Sequence, residues 1–185
     1  MKTLILAQSD VRQITQTIGL NALMDELIGR LTTAFANFDP AQTIIPARWG
    51  FNYEAPYPGL VEWMPVMANN KITVKTVGYH PTNPKLRNLP TIVSTINVYD
   101  TLTGHWLSVA DGNFLAALRT GAASAVASKF LARPQSHVVG VIGTGMQAVT
   151  QLHALSRVFE LEAALVYDAD LHVSHSFRER AAFLD

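Results

Sequence analysis

With 185 residues, no cysteine, and 49% hydrophobic against 15% charged residues, the chain can build a real core. That composition excludes disorder, a disulfide framework and a thiolate metal site. Fourteen basic and fourteen acidic residues cancel, so the charge balance has no footprint of a nucleic-acid or membrane-surface binder.

The opening MKTLILAQSD turns polar at Gln8, too early for a signal-peptide core. No later apolar run has the length of a membrane span, so a cytoplasmic, soluble protein is expected. Ser9 and Asp10 are placed to cap a short helix over Val11 to Thr17, which Gly19 ends. Asn21 then caps a second helix with Leu23, Leu27, Leu31, Phe35 and Phe38 on one face, stopped at Asp39-Pro40. Phe35 and Phe38, like Trp63 and Met64, read as core.

From Thr43 the texture changes to short β-prone runs: TIIPARW, GLVEWMPVM, KITVKTVGY, TIVSTINVYD and HWLSVADG. The last two flank Thr101-Leu102-Thr103-Gly104, a hairpin turn with glycine in it. HPTNPKLRNLP reads as a loop. Asn113 is placed to cap a third helix, NFLAALRTGAASAVASKFLAR, whose Ala, Gly and Ser residues would let another backbone come close. After a break at Arg133 to Ser136 the pattern becomes strand, glycine turn, helix, strand, which puts the domain boundary near 132–136. HVVGVIG is nearly continuously apolar, as for a strand buried on both faces of a parallel sheet.

Gly143-Thr144-Gly145-Met146-Gln147-Ala148 fits the G-x-G-x-x-G/A dinucleotide fingerprint. Gly143 would make the tight exit from the strand, Gly145 would admit a pyrophosphate, and Ala148 would let the helix pack on the strand. The helix N-terminus offers free N–H groups to phosphate. A second strand ends in Asp168, twenty positions beyond Ala148, where a carboxylate accepts the ribose hydroxyls and favours NAD over NADP. Asp170 competes for that role, although its place past the strand end fits less well.

Arg48, Lys75 and Arg119 stand out because basic residues are sparse. Two arginines and a lysine suit a carboxylate-bearing substrate. Spacing alone favours a surface or snorkelling role for each of them. His172 and His175 have one-turn spacing and His153 lies in the helix after the glycine turn, yet no third ligand stands in a recognisable position, so no metal is expected.

Taken together, PAR at 46–48, VKTVGYHPTNP at 74–84, LPT at 89–91, DTLTGHWLSVADG at 100–112, RTGAASAVAS at 119–128 and VIGTGMQA at 141–148 resemble the ornithine cyclodeaminase/mu-crystallin family. The order and spacing of these segments carry the resemblance over essentially the whole chain. It implies an α/β protein: an N-terminal α+β substrate-binding and dimerisation domain at 1–133, including the small-residue helix 113–132, followed at 134–185 by the first β-α-β part of a Rossmann NAD-binding domain. It also implies a homodimer, NAD as cofactor, and a small amino-acid substrate, with no nucleic acid or membrane partner.

Residue by residue, Arg48, Lys75 and Arg119 would contact the substrate carboxylate. Thr91 and Arg119 would touch the cofactor near the nicotinamide. Gly143, Thr144, Gly145 and Ala148 form the turn, Met146 and Gln147 hold the pyrophosphate through backbone amides, and Asp168 holds the adenosine ribose. The implied chemistry removes a hydride from Cα of L-ornithine to give an imine, which the side-chain amine attacks. Ammonia leaves, and return of the hydride to the cyclic imine yields L-proline with no net redox change.

Two departures qualify the resemblance. Ala116 stands where the family often has a threonine, within FLAALRT. A Rossmann domain has about six strands, whereas this sequence ends in FRERAAFLD soon after its second. The family's catalytic aspartate therefore has no matched position, and neither Asp170 nor Asp185 is assigned to it. Alternative expectations are an imine or ketimine reductase or amino-acid dehydrogenase of the same family, and a truncated, non-catalytic remnant.

Overall fold

A computed structural model describes residues 2–184; Asp185 lies outside the described residues. The chain divides into two compact units, one of Met1–Ile14 with Phe38–Leu115, the other of Thr15–Asn37 with Ala116–Asp185. These units divide the chain differently from the expected boundary near 132–136. The helix at 20–36 and most of the helix at 113–131 group with the glycine turn, and both meet the helix that follows it, through Asn21 and Asp25 and through Gly121.

The first unit is built on a six-stranded sheet. Its strands are β1 (Leu4–Leu6), β2 (Trp49–Tyr53), β3 (Gly59–Ala68), β4 (Lys71–Tyr79), β5 (Ile92–Asp100) and β6 (Trp106–Asp111), in the order β1-β6-β5-β4-β3-β2. All neighbours are antiparallel except β1 and β6. The expected hairpin is present: β5 and β6 are joined by a turn in which Gly104 takes φ +70°, a conformation that favours glycine. β1 was not anticipated, since three apolar residues carry no periodicity. The run TIIPARW forms only an isolated bridge between Ile44 and Met67. Pro46 has no N–H to continue a ladder, and the strand starts at Trp49 instead.

Cross-strand register sorts the sheet into two faces. Glu62, Val77 and Ser94 lie opposite one another, as do Met64, Lys75 and Ile96; Val77 and Ser94 on this face are buried. Trp49, Phe51, Val61, Trp63 and Val93 share the other face. There Trp49 and Phe51 are 63% and 61% exposed, and both rings lean on Trp63, Trp49 at 5.2 Å and Phe51 at 5.9 Å between centroids.

Two helices begin the chain's helical part. α1 (Gln8–Ile18) starts earlier than expected, with Asp10 accepting from the Ala7 N–H at 2.8 Å. α2 (Leu20–Ala36) begins after Gly19, whose φ of +87° only glycine adopts readily, and has no side-chain cap. Its buried residues are Met24 and Ile28. Leu23, Leu27 and Leu31 are half-buried, so the apolar stripe is centred one position from the expected row. Phe35 and Phe38 are exposed rather than core, because the helix ends between them. The expected loop at 80–90 contains a short helix, α3 (Asn83–Arg87), with Pro84 in its first turn, where the missing N–H costs nothing.

The second unit takes in α4 (Asn113–Leu131) from Ala116 onward; this is the small-residue helix, with Ala122 and Ala125 fully buried. Its Asn113 does not cap it; the Asn113 Oδ1 accepts from the Ser94 N–H at 2.6 Å. β7 (Val138–Ile142), α5 (Met146–Ser156) and β8 (Ala163–Tyr167) form the β-α-β core, with β7 and β8 parallel. α6 (Leu171–His175), α7 (Phe177–Arg180) and a 3-10 turn at Ala182–Leu184 follow. Close approach of α4 to α5 is real: a Cβ on Gly121 would overlap the Thr150 carbonyl.

β7 is not buried on both faces. Val139 and Val141 pack against the cluster of Ala148, Leu152, Phe177 and Ala181, while Ile142 on the other face is 90% exposed. Among the described residues, helices cover only one side of this two-stranded sheet.

Candidate functional site

The glycine turn joins β7 to α5. Gly143 takes φ +85°, which the tight exit requires. A Cβ on Gly143 or Gly145 would meet nothing within 4 Å. Packing inside this chain therefore does not demand glycine at 145, and the backbone there is open to close approach. Ala148 is buried in the cluster beneath the turn, the close strand–helix packing that its small side chain allows. Met146 and Gln147 open α5 with exposed side chains, and the first N–H groups of a helix have no intrahelical acceptor. This arrangement fits the pyrophosphate of a dinucleotide.

Thr144 is fully buried, and three bonds hold it. The Asp168 Oδ2 accepts from its N–H at 2.6 Å and from its Oγ1 at 3.0 Å, while the Arg180 Nη2 donates to its carbonyl at 2.5 Å. Asp168 also accepts from the Asp170 N–H at 2.9 Å through Oδ1. The Thr144 N–H first, then that of Asp170 and the Thr144 hydroxyl, hold the Asp168 carboxyl below its ordinary range. The negative charge that a ribose-binding carboxylate needs is thus secured, although part of its acceptor capacity already serves the loop. Asp170 is engaged elsewhere, since as N-cap of α6 it accepts from the N–H groups of His172 and Val173.

Each expected carboxylate-binding residue has a definite place in its own unit. Lys75 sits mid-strand in β4, on the sheet face that carries Glu62, Val77 and Ser94. Arg48, just before β2, is exposed and lies 3.5 Å from the Glu62 Oε1. Thr91 precedes β5, and its carbonyl accepts from the His80 N–H at 2.8 Å. Arg119 lies in α4, between buried Leu118 and half-buried Thr120. Glu62 and Arg180 belong to none of the motifs legible in the sequence. An acid inside the run GLVEWMPVM was a readable signal for Glu62; nothing local marks Arg180. Among the described residues, no three His, Asp or Glu side chains form a group able to hold a metal ion. His153 is buried beside α2, with its Nε2 2.8 Å from the Asn21 Oδ1.

The family model for the ornithine cyclodeaminase/mu-crystallin family matches residues 8–183. The chain belongs to this family. It is 42% identical over 187 aligned residues to the L-lysine cyclodeaminase of Streptomyces rapamycinicus, covering 100% of this chain and 54% of that protein. A solved lysine cyclodeaminase, studied for its recognition of L-lysine, L-ornithine and L-2,4-diaminobutyric acid, superposes with a TM-score of 0.93 at 49% identity, over 100% of this chain and 54% of that one. The Delta(1)-pyrroline-2-carboxylate reductase of Thermococcus litoralis, solved with NADH and L-proline, gives 0.87 at 35% identity, over 98% and 55%. This family member thus spans about half the length of these relatives. No helix among the described residues is long and apolar enough to cross a membrane.

Proposed function

We propose that this family member works in the NAD-dependent cyclodeamination of an α,ω-diamino acid, L-ornithine or its longer homologue L-lysine, with release of ammonia. The observation that carries the reading is the open glycine turn between β7 and α5, with Asp168 kept ionised beside it, in a chain 42% identical to a lysine cyclodeaminase along its whole length.

Bound NAD would supply the acceptor and donor of the hydride. Met146 and Gln147 would give their backbone N–H groups to its pyrophosphate, with Gly143, Thr144, Gly145 and Ala148 shaping the turn and Asp168 accepting from the adenosine ribose. Thr91 would lie near the nicotinamide. Arg48, Lys75 and Arg119 each bring positive charge suited to the substrate carboxylate, which would fix Cα for hydride loss. A homodimer through the amino-terminal sheet is part of the reading, as is a place in cyclic amino-acid synthesis such as that of proline. The exposed aromatic face around Trp49 and Phe51 supports the dimer.

Two measurements test this. Titration calorimetry with NAD+ should show binding at micromolar concentrations. With L-ornithine or L-lysine and only catalytic NAD+, ammonia and the cyclic imino acid should form together. Consumption of NADH with a cyclic ketimine, without cyclodeamination, would move the reading to a reductase like the relative solved with L-proline. Failure to bind NAD+ would leave a non-catalytic protein.

A further inference from the structure

We propose that Arg180 is a positioning residue for the dinucleotide turn, acting on the cofactor only through the Thr144–Gly145 peptide. The proposal rests on the reading of that turn as an NAD cradle. Thr144 is the one residue between Gly143 and Gly145, and two glycines put little restraint on the peptide planes around it. The Thr144 N–H and hydroxyl are fixed by Asp168. Its carbonyl is fixed from elsewhere in the unit, by the Arg180 Nη2 at 2.5 Å.

The geometry of a trans peptide makes that second bond matter. The carbonyl of Thr144 and the N–H of Gly145 belong to one plane and point in opposite directions. Pinning the carbonyl on Arg180 therefore also sets the direction of the Gly145 N–H, the donor at the N-cap of α5. Without Arg180 the plane can turn over at little cost, since Gly145 has no Cβ to resist it. The buried carbonyl would lose its charged donor, and the N–H would point away from a phosphate.

Arg180 is itself held rigidly in this position. Its Nη2 also donates to the Val173 carbonyl at 3.0 Å, its Nε to the Ser176 Oγ at 3.2 Å, and its guanidinium lies 5.4 Å from the Phe177 ring centre. Two carbonyls and a hydroxyl around one planar fork form a site that an ammonium satisfies only in part.

The test compares the wild-type chain with Arg180→Ala, Arg180→Lys and, as a charge control, Arg178→Ala, by NAD+ titration and amide hydrogen exchange without ligand. Arg180→Ala should bind NAD+ about tenfold more weakly or worse, Arg180→Lys should recover part of that loss, and Arg178→Ala should match wild type. Exchange at the Thr144 amide, which is bonded to Asp168, should quicken in Arg180→Ala while β7 and β8 keep their protection. Unchanged NAD+ affinity, full rescue by lysine, or unchanged exchange at Thr144 would each overturn the proposal. Should Arg180→Ala not fold, Arg180→Lys carries both measurements, with a loss of a few-fold expected. If the wild-type chain itself does not bind NAD+, the cradle reading fails, and the exchange data alone decide whether Arg180 orders the turn.

Discussion

Asp168 holds a loop and, in the proposed reading, would also take a ligand. Its carboxylate takes the Thr144 N–H and hydroxyl on one oxygen and the Asp170 N–H on the other, and these bonds favour the charged form over the acid. A carboxyl whose folded pKa lies below its ordinary value of 3.8 contributes stability that is complete above that value. The contribution is lost as pH falls through the lower folded value, so the ordered turn should survive mild acid. Replacing Thr144 by the near-isosteric valine removes the 3.0 Å hydroxyl bond and spares the backbone one. We expect Thr144→Val to cost about 1 kcal/mol in urea unfolding. Asp168→Asn, which removes the charge, should weaken NAD+ binding by about ten- to a hundredfold in calorimetry, the usual worth of a hydrogen bond to a charged group. Unchanged affinity in that variant would count against a ribose contact. The sequence made the glycines and Asp168 legible because each has a fixed offset from a strand end. It hid Arg180, whose bond to Thr144 spans 36 positions and leaves no local pattern.

At the scale of elements, local signals are legible in the sequence and long-range partners are not. The β5–β6 hairpin announced itself through Thr101 to Gly104, and α4 through its small residues. The pairing of β1 with β6 could not be read, because it joins Leu4 to Ser108 through three residues without periodicity. The same holds for Asn21, expected as a cap and found beside His153, 132 positions away. A carbonyl oxygen can only accept, so the His153 Nε2 carries the proton in that bond. Burial first, then the charge of Arg157, press the His153 pKa below its ordinary 6.5, while Asp25 opposes them. Here the unfolded chain binds the proton more tightly. Stability is therefore complete above about pH 6.5 and falls as pH drops toward the lower folded value. Urea unfolding followed from pH 7.5 to 5 should show this loss, and His153→Gln should flatten it. Gly121 provides a sharper test of helix packing. An added methyl would gain up to about 1 kcal/mol of helix propensity but would overlap the Thr150 backbone of α5, which cannot rotate aside. Gly121→Ala should lower stability by about 1–3 kcal/mol. A neutral or stabilising result in thermal unfolding would mean that the two helices separate easily.

The whole molecule leaves apolar surface that a monomer in water would normally cover. In the first unit, Trp49, Phe51 and Trp63 lie on one face of the edge strand and its neighbour, with Val61 and Val93 beside them across β3, β4 and β5. A contiguous apolar patch on a sheet face marks an interaction surface more often than a tolerated exposure. A second copy presenting the same face would bury it by two-fold symmetry, each residue meeting its counterpart's neighbourhood. A stable interface needs roughly 800 Å² from each partner, which a face of several strands can provide and a single aromatic pair cannot. The expected mass in solution is accordingly twice the 20.2 kDa of one chain, measured by light scattering across a dilution series. Phe51→Glu puts a charge, at 61% exposure in the single chain, into the centre of that contact. It should leave the monomer folded by circular dichroism while halving the mass. The proposed dimer has an alternative geometry, edge-to-edge pairing of β2, where the backbone ladder and not the face makes the contact. The glutamate side chain would then be tolerated, and the mass of the variant would stay at that of the dimer.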